Sequence, residues 1–196
     1  MHVPVLTVVP AADLISLAEI KSQCRIDTAD DDTLLSVLIQ AATDHLDGWA
    51  GVLGRCLITQ TWRQDFCDWP ANGKLRLPFP DVQSVTVKYQ DADDVETTMP
   101  SSLYELLEDT IGSYVRFRKD FTSPALYDDK EFPISVTLVA GYGSAASAVP
   151  DAIRQAAMIL AAHWYENREA VTTGPAPVAV PMAVTSLIEK YRRDRI

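Results

Sequence analysis

Apolar residues recur at helical spacing in the first fifty residues and predict two helices there. The sequence Ser16-Leu17-Ala18-Glu19 matches the S-x-x-E capping box, in which Ser and Glu each satisfy a backbone donor that the first helical turn leaves unpaired. A second helix is expected to open within the acidic stretch 27–32, to extend for about four turns and to end at Gly51 and Gly54. Its apolar stripe contains Leu35, Leu38, Ile39, Ala42, Leu46 and Trp49.

The same periodicity returns near the carboxyl end. Residues 151–167 follow Pro150 and are apolar nearly all round, so this segment is predicted to be the central, most buried helix. Residues 171–181 contain Gly174 and three prolines and are expected to form an extended arm. A last short helix, about 183–193, is predicted to present Val184, Leu187, Ile188 and Tyr191 on one side.

The middle of the chain has the period of strands. Alternating, Thr-rich and aromatic segments separated by Pro, Gly, Asn and Asp predict strands at 59–66, 74–77, 82–89, 103–107, 114–118 and 134–140. The fold class is therefore α+β, a helical bundle with an inserted small β-domain and a carboxyl-terminal arm plus short helix. We divide this single domain into the first helices at 1–54, the β-rich insertion at 55–143, the central helix at 144–170 and the arm with the last helix at 171–196.

Charge narrows the classes of partner. The chain has 196 residues and a net charge of −10, and an acidic protein does not bind phosphate backbones by counterion release. The last seven residues are an exception, since they contain Lys190, Arg192, Arg193 and Arg195 but only one acidic residue, Asp194. That basic end is a candidate contact element. The longest apolar stretch, 156–162, is too short to span a bilayer, and no signal peptide is predicted.

Candidate catalytic and metal-binding residues are few. The segment that contains Asp27, Asp30, Asp31 and Asp32 has neither the Gly nor the closing Glu of a calcium loop. We therefore expect these carboxylates to accept hydrogen bonds from the unpaired N–H groups at the start of a helix and to interact favourably with the positive end of its dipole. His2, His45 and His163 show no paired ligand spacing, although the last two could meet in the core. The sequence contains no GxSxG elbow and no P-loop. We therefore expect no metal, no cofactor and no enzymatic activity.

Aromatic and charged side chains end the long apolar helix. The side chains Trp164, Tyr165, Glu166 and Arg168 either complete the core and its solvated rim or form a subunit interface, where aromatic residues and Arg are over-represented. The sequence alone leaves both interpretations open.

Several phrases, taken in order, resemble one family, the small head–tail connector (adaptor, head-completion) proteins of long-tailed phages and gene transfer agents. They are LAEIK with RID, the acidic start and Leu34-Leu35 of the second helix, RCLITQTW at 55–62, LPFP with VQSV at 77–85, VAGYG at 139–143, Pro150 with IRQA, and HWYENRE at 163–169.

The resemblance implies a virion protein that forms a homo-oligomeric ring, usually of twelve copies. Such a ring joins the portal of the DNA-filled head to a stopper, tail-terminator or tail, and DNA meets it only by passing through the channel. The carboxyl-terminal segment commonly reaches into the portal, so Leu187, Ile188, Tyr191, Arg192, Arg193 and Arg195 become the expected portal-binding residues. Its place is the head–tail junction of the virion, after assembly in the host cytoplasm, with no membrane.

The residues alone leave two other classes of function open. A small cytosolic hydrolase would use a Cys–His pair, such as Cys24 or Cys56 with His163, or an acidic metal site. A free regulatory binding module would be a stable, compact monomer. The connector hypothesis differs from both because it needs other copies of the chain.

Overall fold

The structure is a computed structural model that describes residues 2–167 and 182–193. The chain divides into two compact units. The β unit comprises Met1–Pro10 and Thr59–Gly141, and the helical unit comprises Ala11–Ile58 and Tyr142–Ile196. The α+β class predicted from the sequence is confirmed. The division 1–54 groups segment 1–10 with the first helices, whereas in the structure this segment belongs to the β unit, because Val5–Val8 pairs with Gln60–Phe66.

Four α-helices lie in the described part of the helical unit. They are α1 (Leu17–Cys24), α2 (Asp32–Leu46), α3 (Asp151–Glu166) and α4 (Met182–Ile188), and α4 continues as a 3-10 turn at Glu189–Tyr191. The prediction for the last helix, 183–193, was therefore too long at its end. Helix α2 also stops earlier than predicted, since Asp47 is extended and its carboxylate accepts a hydrogen bond from the Leu57 N–H at 2.6 Å. The later Gly51 and Gly54 lie beyond the helix.

Helix α1 begins as the sequence predicts. The Glu19 N–H donates to the Ser16 hydroxyl, and the Glu19 carboxylate accepts from the Ser16 N–H at 2.8 Å, which completes the capping box. The same carboxylate also accepts from the Arg154 guanidinium of α3. One side chain therefore both starts α1 and ties it to α3.

Helix α3 is the centre of the helical unit. It packs against α1, α2 and α4, and its residues Ile153, Ala156, Ala157, Leu160 and Ala161 are fully buried. The alanines keep the helix surface narrow enough for neighbouring helices to approach closely. The shared core of the unit contains residues from all four helices and from the segments beside them.

Eight strands, all antiparallel to their neighbours, build two sheets of the β unit. The strands are β1 (Val5–Val8), β2 (Gln60–Phe66), β3 (Lys74–Arg76), β4 (Val82–Gln90), β5 (Glu96–Thr98), β6 (Tyr104–Asp109), β7 (Gly112–Phe117) and β8 (Ile134–Ala140). One sheet has the order β1-β2-β8-β4-β5 and the other the order β3-β7-β6. Strand β5 was missed, because three polar residues after a turn give no alternating signal.

Strand β8 is the middle of the larger sheet. Its buried and half-buried positions alternate, with Ile134, Val136, Leu138 and Ala140 fully buried. The smaller sheet buries Leu75 and Val115 in the same way. The strand register places Lys74, Arg76, Glu105, Asp109 and Arg116 on the opposite face of this sheet.

The Glu19 carboxylate gives the helical unit a testable pH dependence. Hydrogen bonds from Ser16 and the neighbouring Arg154 charge hold the pKa of Glu19 below its usual range. A lowered folded-state pKa stabilises the fold above the ordinary value of about 4.3 and loses that contribution as the pH falls through the folded-state pKa. We expect Glu19→Gln to cost about 0.5–1 kcal/mol at pH 7 and less at pH 3, measured by urea unfolding.

Glu189→Gln is the matched control for that experiment, because this carboxylate is exposed and makes no ion pair with any described residue. It should leave the free energy of unfolding unchanged at both pH values. An equal loss at pH 7 and pH 3 in Glu19→Gln would show that the charge of Glu19 contributes nothing.

Candidate assembly surfaces

The residues considered for catalysis do not form a reactive site. Burial and the nearby Glu166 charge raise the pKa of the Cys24 thiol, which is the opposite of what a thiolate nucleophile needs. His45 lies edge-on to Trp164 with ring centroids 6.2 Å apart, whereas the His163 ring hydrogen-bonds Asn167 at 3.2 Å. Each histidine therefore has its own structural partner.

The acidic stretch 27–32 joins helices instead of capping one. Asp31 occupies the N-cap of α2 but makes no side-chain capping bond, so the expected role of these carboxylates was wrong for this residue. Its carboxylate accepts from the Tyr165 hydroxyl at 2.6 Å, and Asp32 pairs with Lys21 at 2.6 Å. Among the described residues, no group of three or more His, Cys, Asp or Glu could hold a metal ion.

The predicted subunit-interface residues are partly used inside the chain. Trp164 and Tyr165 are half-buried against the core of the helical unit, and the Tyr165 hydroxyl is committed to Asp31. Glu166 is exposed at the last position of α3. Arg168 lies outside the described residues. Their contact with another subunit stays a prediction.

The apolar side of the carboxyl-terminal helix faces its own bundle. Val184 is fully buried and Ile188 is 7% exposed, and both belong to the core beneath α3. Leu187 and Tyr191 pack against the same core while staying half-exposed. Ile188, one of the expected portal-binding residues, is therefore used inside its own chain, because it helps to cover α3.

The basic end is described only in part. The Arg192 side chain is exposed, and the Arg193 N–H donates to the Leu53 carbonyl at 3.0 Å, which fixes the chain after α4 against the loop that follows α2. Arg195 and the predicted arm 171–181 lie outside the described residues. Of the expected portal-binding set, Arg192 is the described residue most available to a partner.

Strand β1 exposes an apolar edge that the sequence analysis missed. Val5 is 42% exposed and Val8 is 57% exposed, and Val3, Leu6 and Val9 are exposed as well. Among the described strands, β1 pairs with β2 alone, so no described strand pairs with the backbone N–H and C=O groups of its other edge. The signal was available in the sequence, because the valines of this segment do not alternate with polar residues.

The described residues contain no helix with the length and apolar content that crossing a bilayer requires.

A family profile decides the classification. The family described as phage gp6-like head–tail connector protein matches residues 14–119, which is more than half of the chain. The chain belongs to this family. The matched range runs from the start of the helical unit through β7 and includes α1, α2 and the groups around Asp31 and Asp32.

Solved structures share the fold of this connector over its whole length. A neck of an empty GTA particle computed with C6 symmetry has a TM-score of 0.78 at 24% identity, with 100% of this chain and 97% of the other covered. A virion of a native gene transfer agent (GTA) particle has a TM-score of 0.76 at 23% identity, with the same coverage. A neck of a native GTA particle computed with C12 symmetry has a TM-score of 0.65 at 22% identity, with 97% of each chain covered. No curated protein sequence matches the connector.

The packing of α4 predicts the effect of removing one of its side chains. We expect Ile188→Ala to lower the free energy of unfolding by about 2–5 kcal/mol, because it leaves a cavity in the helical core. Met182→Ala on the same helix removes a side chain that is 86% exposed and should change stability by at most about 0.5 kcal/mol. Urea unfolding followed by circular dichroism measures both.

Equal, small effects in the two variants would show that α4 does not cover the bundle in solution. Removal of residues 183–196 is expected to destabilise the bundle for the same reason, because it takes Val184 and Ile188 out of the core.

Proposed function

We propose that this connector is a structural subunit of the head–tail junction in a phage or gene transfer agent. Its copies form a ring between the portal of the DNA-filled head and the stopper, tail terminator or tail. The ring completes the head and lengthens the DNA channel. The observation that carries this proposal is the family match over residues 14–119. The likeness in fold to neck structures supports it.

Ring formation is supported by surfaces that a single copy leaves incomplete. The exposed aliphatic side chains of β1 lose contact with water only if another chain covers them. The related necks were computed with C6 and C12 symmetry, and twelve copies satisfy both. We therefore propose a ring of twelve, with Trp164, Tyr165, Glu166 and Arg168 near a boundary between subunits.

The net charge suits a channel wall. A surface with an excess of carboxylates repels the phosphates of passing DNA, so the DNA meets no strong binding site on its way. The chain has a net charge of −10, and several of its described cations are paired with carboxylates, namely Lys21, Arg63, Arg76, Lys88, Arg116 and Arg154. DNA would therefore be a passenger and not a ligand.

Contact with the portal is proposed for the carboxyl-terminal end. The buried side of α4 is occupied, so the contact falls to the half-exposed Leu187 and Tyr191 and to the basic Arg192 and Arg195. Arg is suited to such a contact because its planar group binds carboxylates in two places at once. The membership in a connector family favours this structural role over the hydrolase hypothesis.

Deleting the gene for this connector from a producing genome tests the function. We expect filled heads and tails to accumulate separately, because the junction between them is missing, and electron microscopy counts joined and separate particles. Supplying the wild-type chain from a plasmid should restore joined particles. Normal joined particles without the chain would contradict the proposal.

The same complementation assay tests the portal contact. Arg192→Glu with Arg195→Glu should fail to restore joining, since it reverses the charge of the proposed contact. Arg63→Glu with Lys130→Glu is the matched control, as it changes net charge equally at exposed sites in the β unit. Restoration by both double variants would remove the portal contact while leaving the connector role intact.

A further inference from the structure

The outer face of the smaller sheet carries a basic groove in this acidic chain. The groove has a volume of about 440 Å³ and is lined by Lys74, Glu105, Arg116, Arg118 and Lys119, among others. The four cations are exposed, whereas Glu105 is half-buried. Four cations therefore meet one carboxylate on this surface.

The strand register places like charges directly opposite each other. Lys74 of β3 faces Arg116 of β7, and Arg116 faces Glu105 of β6 on its other side. Glu105 forms an ion pair with Arg116, so one cation of the row is compensated. Like charges at opposed positions destabilise a sheet unless an anion lies between them.

The remaining cations of the groove form no ion pair with a carboxylate of the described residues. Lys74 lies over the Tyr114 ring with its nitrogen 5.0 Å from the centroid, and the neighbouring Arg76 is instead held by both oxygens of Asp109 at 2.7 and 2.6 Å. Arg118 and Lys119 form no ion pair with a described residue. The groove therefore offers three uncompensated positive charges to a ligand from outside the chain.

We propose that this groove binds a carboxylate-bearing segment of a second copy of the chain, the next subunit in the ring. The inference rests on the proposed ring. Copies that carry a large negative charge repel one another, so a local contact of opposite charge is needed to set their register. A groove on one copy and an acidic segment on the next form a head-to-tail interface, which is the kind that closes into a ring.

Carboxylates fit this groove better than nucleic acid does. Glu105 lies within the groove, so a continuous row of phosphates along Lys74, Arg116 and Arg118 would also meet this carboxylate. Separate carboxylates on a protein segment can instead lie between Lys74 and Arg118 without approaching Glu105. Tight binding of a duplex also needs more neutralised phosphates than three cations supply.

The beginning of the acidic stretch 27–32 is the segment we assign to the groove. The exposed Asp27 and Asp30 side chains form no ion pair with a described residue, and no cation lies between them in the sequence. In the aspartate-rich turn 91–94, by contrast, the Asp91 carboxylate accepts the N–H groups of Asp93 and Val95, and the Asp94 carboxylate accepts from the Gln90 amide. Asp27 and Asp30 thus remain available for a partner.

Two individually defective variants test the contact. Lys74→Glu with Arg118→Glu makes both surfaces acidic, and Asp27→Lys with Asp30→Lys makes both basic. In the complementation assay each should reduce joined particles at least about tenfold, the effect of losing roughly one such contact per interface. Producing both variants together should restore joining, because alternate copies in an even-numbered ring again meet with opposite charge.

Controls separate the possible failures. Arg63→Glu with Lys130→Glu should join particles normally, and thermal melts should show that every variant folds, with Lys74→Gln plus Arg118→Gln as a milder pair if the glutamates disturb the sheet. If wild type joins particles but the mixture does not, the groove contact is wrong while the proposed function stands. Normal joining by the groove variant, together with weaker binding to a duplex in fluorescence anisotropy, would assign the groove to nucleic acid and overturn the inference.

Discussion

The helical unit depends on covering α3 from several sides. This helix is apolar around most of its circumference, and each exposed Å² of that surface would cost about 25 cal/mol. Helices α1 and α2 precede Thr59–Gly141 in the sequence, whereas α4 follows α3. These two segments must therefore pack on the same core to bury α3. The larger part of the β unit, Thr59–Gly141, is inserted in the sequence between α2 and α3.

This requirement separates the surfaces that hold one subunit together from those that remain for other chains. Ile188 and Tyr165 look like interface residues in the sequence, but the first fills the core and the second binds Asp31. The exposed aliphatic side chains of β1 are not covered by any described residue, and Arg118 and Lys119 form no ion pair with one. We infer that a connector built this way has a stable core of its own and that the β unit, the acidic stretch and the basic end remain for partners.

Local chemistry made parts of the fold predictable from the sequence. The Ser16–Glu19 capping box and the alternation in Ile134–Ala140 each depend on near neighbours, and both were predicted at the right residues. The partners of Asp31 and Asp32 lie far away or on another helix, so the sequence suggested capping where the structure has tethers. The apolar side of α4 and the row of Lys74, Arg116 and Glu105 were hidden for the same reason, since packing and register decide them.

Imaging of intact particles tests the central claim most directly. A reconstruction of the neck should show this fold repeated around the channel in a twelve-fold ring between the portal and the tail-side proteins. The helical unit of each copy should retain α4 or receive an equivalent helix over α3. A neck that lacks this chain, or a chain found only as a free monomer beside complete particles, would contradict the account.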